Sequence, residues 1–131
     1  MSKNMDRFNP YLWSVHPNAN YQAGAEIYPS LHWSPSDTGL GNVVWGIEYS
    51  ISIPGTPFPN TITLSETVAT TGITRDHLEF EFDPINAITY EGVIMGRIYR
   101  DGTNPADTYI GDVAITSFEL KYIANKLGAD S

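Results

Sequence analysis

The sequence predicts an all-β fold, a two-sheet antiparallel β-sandwich of jelly-roll or Greek-key type with an irregular N-terminal arm. Three observations predict it. Apolar residues recur with a period of two along several segments, and Gly, Pro, Asn and Asp cluster between those segments. No apolar pattern of helical period reaches the roughly 10 to 12 residues that define a helix.

The clearest strand runs from Val43 to Ile53, where Val43, Trp45, Ile47, Tyr49, Ile51 and Ile53 alternate with Val44, Gly46, Glu48, Ser50 and Ser52. One face of it is core and the other polar, because successive side chains of a strand point to opposite faces. Before it, Ile27, Leu31 and Trp33 share one parity and Tyr28, Ser30 and His32 the other. Pro29 interrupts that strand and predicts an edge position, since proline lacks the donor that a central strand uses on both sides. The stretch 34–42 reads as a turn, and Pro54, Gly55, Pro57 and Pro59 predict an extended, stiff loop.

Thr61 to Val68 is a Thr-rich strand with Ile62 and Leu64 inward, and Leu78, Phe80 and Phe82 share a face in Asp76 to Phe82. Val93 to Arg100 and Asp112 to Ile123 follow, separated by a turn-rich loop. Parity slips near Thr116 and Ser117, which predicts a β-bulge there. Only Asp83 to Glu91 and the tail from Ile123 have room for a helical turn. About six strands with connections too long for consecutive tight hairpins point to crossing connections between two sheets. Trp33, Trp45, Ile47, Tyr49, Leu64, Leu78, Phe80, Ile98 and Phe118 are the expected core.

Composition narrows the function classes. The 131 residues suit one domain, and 15 acidic against 7 basic side chains leave a net charge of −8. Such a field repels a phosphate backbone, so nucleic acid is not an expected partner. With no cysteine there is no disulfide framework, thiolate metal site or cysteine nucleophile. No apolar run approaches the roughly 20 residues that span a bilayer, so no membrane is expected, and Met1 to Tyr11 is polar where a signal peptide is apolar. The low charged share, 17%, leaves more of the surface to apolar and neutral groups, as in proteins embedded in an assembly.

Residues 1–24 contain Asn4, Asn9, Pro10, Pro17, Asn18, Asn20 and Gly24 without sustained periodicity, and read as an arm preceding a domain over 25–131. Phe8, Tyr11, Leu12, Trp13 and Tyr21 in that arm are costly to leave in water and are the candidate interface residues, with self-association as a homo-oligomer the expectation.

Chemistry finds little purchase. There is no Gly-x-Ser-x-Gly turn to activate a serine, and His16, His32 and His77 lie in the arm and in two strands. His77, Glu79 and Glu81 share one strand face, which solvated alternation explains. The loop from Asp101 to Asp107 is better explained by Asx turns than by an ion site. His32 reads as a hydrogen-bonded surface histidine, and no cofactor or metal is expected. Arg97 and Arg100 beside Asp101, Asp107 and Asp112 predict a charge-assisted network tying the long loop to the strand before it. Sandwiches also display aromatics to stack on sugars, for which Tyr11, Trp13 and Tyr21 are the free candidates.

The order of several short motifs resembles a family of small tailed-bacteriophage virion proteins: His32-Trp33, Val43-Val44-Trp45 with Glu48-Tyr49, Phe58-Pro59, Arg97 with Arg100-Asp101, Asp107-Thr108-Tyr109, and Phe118 to Tyr122 before Gly128. The similarity covers most of the chain after residue 24. Family members often carry a further strand-forming segment upstream. They also have His-Tyr where this chain has Lys121-Tyr122, which removes a histidine that an ion site would use. The resemblance implies a non-enzymatic virion structural protein, assembled in the host cytoplasm, forming a homotrimer and binding the major capsid protein or another virion protein. Within that class a capsid cement or decoration protein is the first expectation. A tail fibre, spike or carbohydrate-receptor-binding module is the alternative, and a carbohydrate-active enzyme a remote one.

Overall fold

The computed structural model describes residues 11–15, 26–85 and 93–122, which form seven strands and, among the described residues, no helix. They are β1 (Tyr11–Val15), β2 (Ile27–Pro35), β3 (Asn42–Ser52), β4 (Ile62–Ala69), β5 (Leu78–Glu81), β6 (Val93–Arg100) and β7 (Val113–Tyr122). One sheet has the order β1-β6-β3-β4 and the other β5-β2-β7, with every pairing antiparallel. The two sheets pack face to face as a β-sandwich.

The pairing has a nested logic. β3 and β4 form the innermost hairpin, β2 pairs with β5 outside it, and β1 pairs with β6 outside that. Successive pairs alternate between the two sheets, as when one antiparallel ribbon is rolled up, and the roll brings β6 beside β3 and β7 beside β2. A jelly roll has eight strands. The seven here occupy its second to eighth positions, and its first, which would pair with the outer edge of β7, has no counterpart among the described residues.

Inner faces meet where the period-two pattern predicts. Ile27, Leu31, Trp33, Val43, Trp45, Ile47, Tyr49, Ile94 and Ile98 are buried, while Leu64, Leu78, Phe80 and Phe118 are half-buried against them. Each fully buried aliphatic side chain contributes about 1.5 to 3 kcal/mol. Two aromatic contacts bridge the sheets: Trp33 of β2 meets Trp45 of β3 edge-on at 5.7 Å, and Trp13 of β1 meets Phe118 of β7 at 5.0 Å.

Three expectations change. Residues 11–15, expected within an irregular arm, form β1 and close one edge of the four-stranded sheet against β6. β2 is central, not an edge. The Pro29 carbonyl accepts from the Phe82 amide at 2.9 Å, so its missing donor falls on the β5 side just past Glu81, where β5 has already ended. The outer face of β3 is also not left to water. Val44 is buried where the Asp101 amide bonds its carbonyl at 2.8 Å, and the Tyr99 ring lies across Gly46. The expected bulge is present: His32 pairs with Ser117 and Trp33 with Ile115, which leaves Thr116 as the extra residue.

Candidate functional site

The outer face of the four-stranded sheet carries a groove of about 390 Å³. The proline-rich 53–61 loop builds one wall, folding back so that the Ser50 hydroxyl donates to the Pro59 carbonyl at 3.3 Å. Phe58 and Pro59 face Leu12 of β1 and Met95 of β6 across it. Leu12 is 74% exposed and Phe58 61%, although residues on the outer face of a sheet are ordinarily polar. The floor is polar: Arg97 and Glu48, opposite one another in the β6–β3 register, pair at 2.7 Å, and Thr61 donates to the other Glu48 oxygen at 2.7 Å. The Arg97 guanidinium also lies 4.7 Å from the Tyr99 ring centre.

A second constellation lies in the interior at the end of β6. Arg100, with none of its side chain exposed, donates to both carboxylate oxygens of Asp107 at 3.0 and 2.7 Å. It also donates to the carbonyls of Gly111, at 2.6 Å, and Tyr109. Asp107 in turn accepts the Val44 amide at 3.0 Å, and the Tyr109 hydroxyl donates to Asp37 at 2.9 Å. This network fastens the 101–111 loop to β3 and to the turn after β2. With its donors and acceptors turned inward, its work is structural.

The third constellation decorates the outer face of the three-stranded sheet. His32 of β2 points Nδ1 at His77 Nε2, 2.7 Å away, and Nε2 at Glu119 of β7, 3.2 Å away, and Glu79 of β5, 3.4 Å away. Ser30 donates to Glu79 at 2.8 Å, and the Lys121 ammonium sits 2.9 Å from the same oxygen and 3.6 Å from Glu81. The bond from Lys121, and after it that from Ser30, hold the Glu79 carboxyl below its ordinary value. The ligating atoms of His32, Glu79 and Glu119 lie within 4.8 Å of one another, so these three could hold a metal ion.

Of the candidate interface residues, Tyr11 and Leu12 are exposed, Trp13 is half-buried against Phe118, and Phe8 and Tyr21 lie outside the described residues. Of the expected charge network, Arg100 and Asp107 meet, and Arg97 pairs with Glu48. Asp101 accepts from Asn104 at 3.4 Å, and the Asp112 amide donates to Ser36 at 3.1 Å. Met95, Phe58 and Glu48 were not anticipated as members of one surface. Only the β1–β6–β3 register and the fold-back of the 53–61 loop unite them. A second concavity, of about 560 Å³, lies beside the start of β7, between Ser36, Thr74, Arg75 and Thr116.

Compared with known proteins, the chain matches no family model, no curated protein and no solved structure.

Proposed function

We propose that this chain is a non-enzymatic structural subunit of a tailed-phage particle, a capsid cement or decoration protein that assembles as a homotrimer and grips its neighbours through the Leu12–Phe58–Met95 groove. The carrying observation is that groove: large apolar side chains on a face where solvent-facing polar residues are the rule. The family resemblance supplies the particle and the trimer.

The sandwich suits such a role because it is rigid where the groove is built. Leu12 and Met95 project from neighbouring paired strands, and Phe58 is carried on a loop stiffened by Pro54, Pro57 and Pro59. A partner side chain entering the groove removes apolar surface from water without first ordering a floppy segment, which lowers the cost of association. The acidic net charge favours a basic counter-surface over nucleic acid.

Particles assembled without this protein should keep their shape but lose resistance to heat or to low ionic strength. Normal capsid stability with lost host adsorption would point instead to a tail protein.

One observation favours that second reading. The Glu48–Arg97 pair and Thr61 offer hydroxyl-binding donors and acceptors at the groove floor beside the exposed Phe58 ring, a combination suited to a sugar. Glycan-array binding abolished by Phe58→Ala would select it over the structural role.

A further inference from the structure

We propose that His32, Glu79 and Glu119 form a binding site for a divalent transition-metal ion of the zinc type, oriented by His77 and held in reserve by Lys121.

Distances separate an ion site from a hydrogen-bonded cluster. A charge-assisted N–H···O⁻ bond is about 2.7 to 2.9 Å long. His32 Nε2 is 3.2 Å from Glu119 Oε1, at the long limit of an N–H···O bond, and 3.4 Å from Glu79 Oε2, beyond that limit. Nitrogen and oxygen ligands about 2.1 Å from a tetrahedral zinc ion are about 3.4 Å apart along each edge. Both measured separations fit that edge. One positive centre between the three atoms satisfies all of them, whereas a single proton on Nε2 serves one carboxylate at a time.

His77 backs the ring from behind. His32 Nδ1 lies 2.7 Å from His77 Nε2, so one of these nitrogens donates and the other accepts. When Nδ1 carries the proton, Nε2 presents its lone pair to the two carboxylates, the state that metal ligation requires. Ligating histidines commonly donate their other ring nitrogen to a fixed acceptor in this way. The three ligands come from β5, β2 and β7, so a bound ion staples the short β5 and β7 to the strand between them.

Lys121 is the counterweight. Its ammonium occupies Glu79 Oε2 at 2.9 Å, and an arriving ion competes with it for that oxygen. Binding is therefore weaker than the ligand set alone allows, and removing the ammonium strengthens it.

Isothermal titration of the untagged chain with Zn²⁺ alone, and with Co²⁺ followed by its visible absorption, tests the assignment. One ion per chain is expected, lost in His32→Gln and Glu119→Gln. Binding should tighten in Lys121→Met and weaken about tenfold in His77→Gln, the low end for loss of an orienting partner. The circular dichroism spectrum of each variant should match that of the parent, since all four positions are on the outer face. Zn²⁺ binding absent at millimolar concentration in both the parent and Lys121→Met, or undiminished in His32→Gln, overturns the proposal.

Discussion

Arg100 and Asp107, seven residues apart in the chain, meet as a bidentate ion pair with neither side chain exposed to solvent. Two carbonyls and the Val44 amide complete the coordination, so every charge is answered and the loop after β6 is locked. Removing one partner leaves the other buried without its counter-charge. Arg100→Met should therefore cost about 3 to 5 kcal/mol, measured by denaturant unfolding. A loss below about 1 kcal/mol would mean the loop relaxes enough to admit water. Removing both charges, as in Arg100→Met with Asp107→Leu, does not restore stability fully, because the amide of Val44 and the carbonyls of Tyr109 and Gly111 are then left unpaired.

Gly46 marks a close approach. A Cβ there would sit 2.5 Å from Tyr99 Cζ, so Gly46→Ala must displace a ring that is itself 95% buried. The expected cost is about 1 to 3 kcal/mol, as for overpacked interiors. Thermal unfolding of Gly46→Ala, Tyr99→Leu and the double variant should give a double that is more stable than the sum of the singles implies. Strict additivity would show that the ring does not lie where the added methyl goes.

The strand pattern was largely legible in the sequence, for a physical reason: β4 and β5 half-bury one parity each, and burial of alternate residues is what period two encodes. The extra residue at Thr116 was legible too, as a slip of parity. β1 was not, because Tyr11 to Val15 is only five residues long, with Pro10 before it and Pro17 shortly after. Pro29 misled because an edge strand is only one way to forgive a missing donor, and ending the neighbouring strand early is another. Of the cluster around His32, only His77 and Glu79 on one strand face were legible. Its members are 45 and 87 residues from His32 along the chain for His77 and Glu119, and only the β2–β5 and β2–β7 registers bring them together.

Exposure of Leu12 and Phe58 makes the groove separable from the core. Leu12→Glu and Phe58→Glu should leave the circular dichroism spectrum of the fold unchanged, since both side chains are exposed, yet convert the assembled form to monomer in multi-angle light scattering. A parent chain that is monomeric at every concentration, or variants that assemble as the parent does, would remove the groove from the interface.

The Glu79–Lys121 pair sets a pH dependence. Its mutual hydrogen bond holds Glu79 below its ordinary 4.5 and Lys121 above its ordinary 10.5. A depressed carboxylate stabilises the fold above its unfolded value and loses that contribution as pH falls through the folded one. A raised ammonium stabilises below its unfolded value and loses its share as pH rises through the folded one. The difference in melting temperature between the parent and Lys121→Met, taken in EDTA, should be constant from about pH 5 to pH 10 and shrink on both sides. Both groups are exposed, so the difference is small and fades with salt. A difference unchanged at pH 2.5 would mean that Lys121 acts through packing of its methylenes and not through its charge.

The most direct measurement is an electron cryo-microscopy map of the phage particle proposed to carry this protein. Trimers should stand in many copies on the capsid exterior, with the sandwich outward and Leu12, Phe58 and Met95 covered by a neighbouring subunit. A map with that groove open to solvent, or with no copy of the chain in the particle, would contradict it.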